Sequence, residues 1–446
     1  MSRASTLVAM ALLCLAPFRA LQAWQGPASD TGQARLRVFI DCQQTFCDNT
    51  YFRTELTWVD HVRTPEDAEV QVLITSQTSG GGGDAYDLVF LGRARFAGRQ
   101  DTLAYFAPRD NTDDATRKGL LQRIELGLVR YAADSRAADR LHVTYAPPAA
   151  GNPPRAPGRD PWDHWVFRVS GSTNLNGQQT SNFTSVGGSV SASRVTDRTK
   201  FRLSFNENYN RSAFDFDVVD STYGDTTIFS HTEHSVSESK YFNGDALMVW
   251  SLGGRWSAGG EVTATRSTSL NETLALRVAP GLEYDLFPYS ESAHRLLTFR
   301  YQVGVDRYVY DDTTIFDKTR ETLLDQTFDV SFNAVQTWGS AGLSIEAAQY
   351  LNDLGHNHLS VFGNASVRLV RGLSLNFFGS VASIHDQLYL SRSGLSPVDV
   401  YLQRRQLATN YQYSLYTGLS YTFGSIFNNV VNPRFEGGGG GIFFFN

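Results

Sequence analysis

The sequence predicts a mainly β protein: an antiparallel transmembrane β-barrel of about twelve strands, preceded by a small periplasmic α/β domain. Three observations lead there. Although 41% of the residues are hydrophobic and 13% aromatic, no stretch beyond the N-terminus reaches the roughly 18 apolar residues that a membrane-spanning helix requires. From Trp162 to Phe423 apolar and polar residues alternate with a period of two. Many of these runs are about a dozen residues long, whereas strands average about five or six. Such length suits strands tilted across about 25 Å of outer membrane.

Composition narrows the choice. A chain of 446 residues with 38 Gly and 19% charged residues is neither a disordered polymer nor a collagen nor a helical membrane bundle. The net charge of -6, with no Lys/Arg cluster, argues against nucleic acid as a partner.

Residues 1–23 read as a secretory signal peptide. Arg3 supplies the positive start, Leu7 to Leu15 the short apolar run, and Leu21-Gln22-Ala23 the cleavage site. Cys14 lies inside it, without the neighbouring small residue of a lipoprotein box. Cys42 and Cys47 remain, and in an oxidising compartment they predict a local disulfide. Half of a metal site is the other reading, but no second Cys or His pair completes it.

The α/β domain is placed at 35–145. Arg35 to Ile40 reads as a strand. Phe52, Leu56, Val59 and Val62 share a helical stripe, which predicts a helix over 49–63 capped by Asp48 or Asn49. Three strands follow, at Val70 to Thr75, Tyr86 to Leu91 and Thr102 to Phe106. Gly80 to Gly83 joins the first two. It lacks the helix and Lys of a phosphate-cradling loop, so it reads as a hairpin connection. Leu120, Leu121, Ile124, Leu128 and Val129 then mark a second helix, capped at Asn111 or Thr112 with Asp113 and Asp114 favouring its positive end. Residues 146–161, rich in Pro, read as a stiff linker.

The barrel is placed at 162–424. Tyr411, Tyr413, Leu415, Leu419, Tyr421 and Phe423 share one parity against Gln412, Ser414, Gly418 and Ser420. The same alternation recurs around Leu297 to Val305 and Leu359 to Val367. Short connections near 196–199, 253–255, 338–339 and 371–372, with a medium one at 288–293, alternate with longer ones near 214–225, 310–319 and 391–406. That asymmetry matches short periplasmic turns and long external loops. An edge strand facing hydrocarbon leaves backbone groups unpaired at several kcal/mol each, so the sheet is expected to close.

The inward parity carries Arg168, Lys200, Arg202, Arg277, Arg300 and Arg368 with Glu261, Glu283, Asp306, Asp329 and Glu346. Both signs mix, and about twelve strands enclose a narrow lumen, so these charges predict a salt-bridged, largely filled interior rather than an open pore. No catalytic set is assigned. His358 and Ser360 share a face, as a His and Ser do in outer-membrane phospholipase-like enzymes, but on the lumen parity and without that family's following Asn context. Asp215, Asp217, Asp220 and Asp225 lack the Gly-centred calcium pattern and read as a solvated loop. His385-Asp386 reads as a rim pair. No cofactor and no metal is expected.

Tyr416, Gly418, Tyr421 and Phe423 resemble the bacterial β-signal read by barrel assembly machinery, although the chain continues beyond Phe423. With Phe287-Pro288-Tyr289-Ser290, Trp338-Gly339-Ser340, Gly372-Leu373-Ser374-Leu375 and the run Tyr421-Thr422-Phe423-Gly424-Ser425-Ile426-Phe427-Asn428-Asn429, the last 280 or so residues resemble poorly characterised bacterial outer-membrane barrels akin to the salt-induced outer-membrane barrel family. The resemblance implies a location and an architecture, and no activity. Residues 425–446 read as a floppy tail. The expected role is structural or partner-binding, with outer-membrane lipid, the assembly machinery and an unknown periplasmic protein as partners. A narrow channel for small solutes or ions is the alternative, and an outer-membrane hydrolase the second.

Overall fold

A computed structural model describes residues 35–45, 47–134, 138–142, 144, 160–221, 228–392 and 408–431. The expected signal peptide, most of the Pro-rich linker, Asp225 and the end of the tail lie outside the described residues. The protein is mainly β: a five-stranded mixed sheet is followed by a twelve-stranded antiparallel sheet.

The N-terminal sheet contains β1 (Leu36–Cys42), β2 (Val59–His61), β3 (Val70–Thr78), β4 (Asp84–Gly92) and β5 (Gln100–Ala107), in the order β2-β1-β3-β4-β5. β1 runs parallel to β2 and β3, and β3, β4 and β5 are antiparallel. Helix α1 (Asn49–Glu55) starts at Asp48, whose carboxylate accepts the Tyr51 N–H at 2.8 Å. Burial opposes ionisation of Asp48, but that N–H and the Arg117 guanidinium hold its carboxyl below the usual value. The helix expected through Arg63 stops at Glu55. Thr57 and Trp58 form a turn, and Val59–His61 pairs with β1 instead, so Val59 and Val62 are buried from a strand and its continuation. Helix α2 (Asp113–Ala132) is capped by Thr112 and buries Leu120, Ile124, Leu128 and Tyr131 against Val72, Ile74, Leu88 and Phe90. Cys42 and Cys47 form a disulfide.

The large sheet runs in sequence order through β6 (Trp165–Gln178), β7 (Ser181–Val195), β8 (Thr199–Ser221), β9 (Ile228–Ser251), β10 (Trp256–Ser267), β11 (Glu272–Asp285), β12 (Arg295–Tyr310), β13 (Arg320–Gln336), β14 (Gly339–Tyr350), β15 (Asn357–Val370), β16 (Leu373–Ile384) and β17 (Tyr411–Tyr421). On β12 the alternation becomes burial. Gln302 and Asp306 are buried while Tyr301, Val303 and Val305 are exposed, the reverse of a water-soluble sheet. The region around 214–221, expected in a loop, continues β8 and pairs up to Ser221 with Ile228; in the sequence its apolar residues Phe214, Phe216 and Val218 have the opposite parity to Phe201, Leu203 and Phe205.

The sheet is not closed: β6 and β17 do not pair with each other. Expected closure rested on the cost of an edge in hydrocarbon, which is a demand of the surroundings. Among the described residues no ion pair links the two strands, whose inner parity carries Arg168, Ser170 and Ser172 on β6 and Ser414, Tyr416 and Ser420 on β17.

The turns expected to be short, near 196–199, 253–255, 338–339 and 371–372, share one end of the strands, and the N-terminal module sits there; the other end also has a two-residue turn, between β6 and β7. Gly80 lies against Val195 of the β7–β8 turn, where a Cβ would come within 2.4 Å of the Val195 Cβ. Gln77 donates to Ser292 Oγ at 3.2 Å, and Gln43 donates to the Gln336 carbonyl at 3.0 Å. Arg371 pairs with Asp67 at 2.6 Å. Arg368, expected in the lumen, instead grips Asp41 of β1 through both nitrogens, at 2.7 and 2.5 Å. At the last inward position before a turn, its long side chain reaches past the rim to a carboxylate 2% exposed. In a flat sheet the β7–β8 and β15–β16 turns would be about 38 Å apart, whereas the seven steps from Leu73 of β3, opposite Asp41, to Gly80 just beyond that strand span at most about 23 Å. One module touches both turns, so the sheet curls with its polar face inward.

The tail is ordered at its start. After β17, Phe427 bridges antiparallel to Val62, the Arg63 N–H donates to the Ile426 carbonyl at 3.0 Å, and the Asn428 N–H to the His61 carbonyl at 2.8 Å. This corrects the floppy reading up to Val431. The free edge of β2 supplies backbone partners that no periodicity in the tail announces.

Arg368→Ala strands the Asp41 carboxylate and should lower the module's docking stability by about 3–5 kcal/mol, read as faster amide exchange in β1 and β3. Burial and the Arg53 charge depress the His61 pKa, with partial opposition from the Leu56 carbonyl and Asp60. His61 therefore stays neutral when folded and takes up its proton on unfolding. Stability present above about pH 6.5 should fall as pH drops through the folded pKa. His61→Gln should flatten the dependence of thermal unfolding between pH 7 and 5.

Candidate functional site

The candidate site is the charged inner face between β10 and β15. Register builds it: Arg277 lies opposite Asp306 on the neighbouring strand, Arg300 opposite both Glu283 and Asp329, and Asp329 opposite Glu346. Arg277 Nη2 donates to Asp325 Oδ2 at 2.7 Å and to Thr327 Oγ1 at 3.2 Å, while its Nε is 3.9 Å from Asp306 Oδ1. Arg300 Nη2 is 3.0 Å from Asp329 Oδ2. Gly304 faces Asp325 in the register, and a Cβ there would collide with the carboxylate. Glycine at that position lets the acid fold down beside Arg277. Asp306, Asp325 and Asp329 are at most 8% exposed, so their desolvation is offset by shared guanidinium groups.

Above these pairs the Tyr308 and Tyr350 hydroxyls meet at 2.8 Å, and Tyr310 donates to Glu321 at 2.7 Å. A cavity of about 300 Å³ remains. Its walls include Glu261, Arg277, Arg300, Asp306, Asp329 and Glu346 from the expected charges, joined by Asp325, Gln302, Tyr308, Tyr350, His356 and Asp386. At the long-loop end Asn271 is a hub. Its Nδ2 donates to the Asp312 and Tyr389 carbonyls, both at 3.0 Å, and its Oδ1 accepts the Asp312 N–H at 2.7 Å. The 311–319 loop and the 385–392 segment are thereby tied together, with Thr314 bridging to Ser391.

The remaining expected charges do not line this cavity. Glu283 is on β11 opposite Arg300, and Lys200 and Arg202 are on β8, with Arg202 3.9 Å from Asp245. Arg168 is exposed on β6. Arg368 belongs to the module contact. Of the assembly-signal residues, Tyr416 and Gly418 are on β17 with the Tyr416 hydroxyl 3.3 Å from where a Gly418 Cβ would be. Tyr421 and Phe423 stack at 5.6 Å and are strongly exposed. Asp325 shares the parity of Thr327 and Asp329, so alternation carried a signal for it. His356 and Asp386 lie outside the strands, where a period of two carries none.

His358 turns to Asp386 at 3.5 Å, and among the described residues no hydrogen bond joins it to Ser360. Asp215 pairs with His234 at 2.6 Å, while Asp217 and Asp220 are on the β8 backbone. Among the described residues no group of three His, Cys, Asp or Glu could hold a metal ion. Compared with known proteins, the chain matches no family model and no curated relative.

Removing Arg277 leaves two buried acids facing each other. Arg277→Ala should destabilise the β11–β13 region by about 3–5 kcal/mol, measured as a lower urea midpoint in detergent. Arg277→Met with Asp325→Leu should recover most of the loss.

Proposed function

We propose that the protein is an outer-membrane β-barrel that acts as a binding scaffold, holding the α/β module in the periplasm at the barrel's short-turn mouth. The observation that carries this reading is the inverted sheet. Tyr301, Val303, Val305, Leu324, Phe328 and Leu343 face outward and exposed, and Gln302, Asp306, Asp325 and Asp329 face inward and buried. Water does not favour such a surface, and acyl chains do. In that setting β6 must pair with β17, since an open edge has no hydrogen-bond partner in hydrocarbon. A secretory signal ending at Ala23 and the β-signal in β17 agree with export and assembly. So does the resemblance of the C-terminal region to salt-induced outer-membrane barrels.

A scaffold is favoured over a pore because charges fill the inner face, the module covers one end and the tied loops cover part of the other. Among the described residues no catalytic geometry favours an enzyme reading. The periplasmic partner would meet the module, and the long loops would face outward.

Purified protein in planar bilayers should give no steady unitary current. Arg277→Ala combined with Arg300→Ala should introduce conductance by emptying the lumen. Regular currents of one size from the unmodified protein would replace the scaffold with the channel reading. Protein that stays monodisperse without detergent would remove the membrane assignment altogether.

A further inference from the structure

The module's β2 edge is occupied by the chain's own C-terminal segment, and that occupancy shows what the edge accepts. Two backbone hydrogen bonds join them, from Arg63 N–H to the Ile426 carbonyl at 3.0 Å and from Asn428 N–H to the His61 carbonyl at 2.8 Å. Asn429 adds a side-chain reading. Its Oδ1 accepts the His61 N–H at 2.6 Å and its Nδ2 donates to Asp60 Oδ1 at 2.9 Å. Arg63 Nη1 closes the ladder on the Phe423 carbonyl at 3.3 Å. The segment leaves β17 through Gly424, whose φ of +107° makes the turn away from the barrel strand.

Beside this ladder is a small cavity of about 120 Å³ whose lining includes Arg53, Arg63, His61, Asn49 and Asn428. It is basic, and its charge is not answered. The Arg63 Nε is buried without an acceptor, and among the described residues neither Arg53 nor Arg63 forms an ion pair. The segment presents the neutral Asn428 to this cavity. A carboxylate there would meet two guanidinium groups and the orphaned N–H.

We propose that the β2 edge is a peptide-binding site held shut by residues 425–429 as a cis latch, and that its partner is an extended polypeptide segment with an acidic residue where the latch has Asn428. Such a segment adds as a strand, as the latch does, and gains the charge-assisted bonds that Asn428 does not make. This reading does not depend on what the barrel does.

The test uses the full-length protein in detergent with Val62→Cys and Phe427→Cys, whose positions face each other across the bridge. Two labelled heptapeptides are the probes, one with the sequence of residues 425–431 and one carrying Asn428→Asp. Before cross-linking both should bind, the acidic peptide about tenfold more tightly, and Arg53→Ala with Arg63→Ala should erase that preference. After oxidative cross-linking neither should bind. In the intact chain Asn428→Asp should slow amide exchange at His61 and Arg63. Failure of the cysteines to cross-link, binding indifferent to the cross-link, or equal binding of the two peptides would each overturn the proposal. Unchanged exchange in Asn428→Asp would do the same.

Discussion

The constraint on which the rest of the structure depends is the two-residue repeat of the β-strand held over a dozen residues at a time. Each strand must send one set of side chains to each face. In β12 that puts Arg300, Gln302 and Asp306 on one side and Tyr301, Val303 and Val305 on the other. Twelve neighbours in unbroken sequence order repeat the sorting, so that one surface is mainly apolar and the opposite one polar, with its charges concentrated between β10 and β15. A one-residue slip of β12 would push the Arg300 guanidinium outward and Val303 and Val305 inward, so the ion pairs of the inner face also fix the register.

The two parts of the protein are joined by a different chemistry. The module meets the sheet through polar contacts at the turns, chief among them Arg368 on Asp41 and Arg371 on Asp67. Gln43 and Gln71 complete the cradle around the buried Asp41 carboxylate, at 3.1 and 2.7 Å. Such a contact is geometrically demanding, because a guanidinium that misses leaves a bare buried charge. The segment after β17 then adds backbone bonds at the module's β2 edge, so the module is held by both the rim of the sheet and the segment that leaves it.

Much of this was legible in the alternation. The number of strands, the shared end of the turns near 196–199, 253–255, 338–339 and 371–372, and the common face of Arg277, Arg300, Asp306 and Asp329 all follow from the alternation, which is local and survives into three dimensions. The helix stripe at Phe52, Leu56, Val59 and Val62 misled because a helix and a short strand can bury the same residues. Val59–His61 went to a strand once β1 offered it an edge. Arg368 misled because parity names a face and not a height, and at the rim the nearest acid belongs to another sheet.

The sequence by itself determined the two-faced strands, the module before them and the cysteine pair, since each is written in residues close together along the chain. The tertiary structure alone decided which acid each arginine holds, that Asn271 ties two loops, and that residues 425–429 complete the β2 edge. Those partners lie up to 369 positions apart. Pairing over such distances depends on where the backbone brings donors and acceptors together, and no periodicity within either segment encodes it.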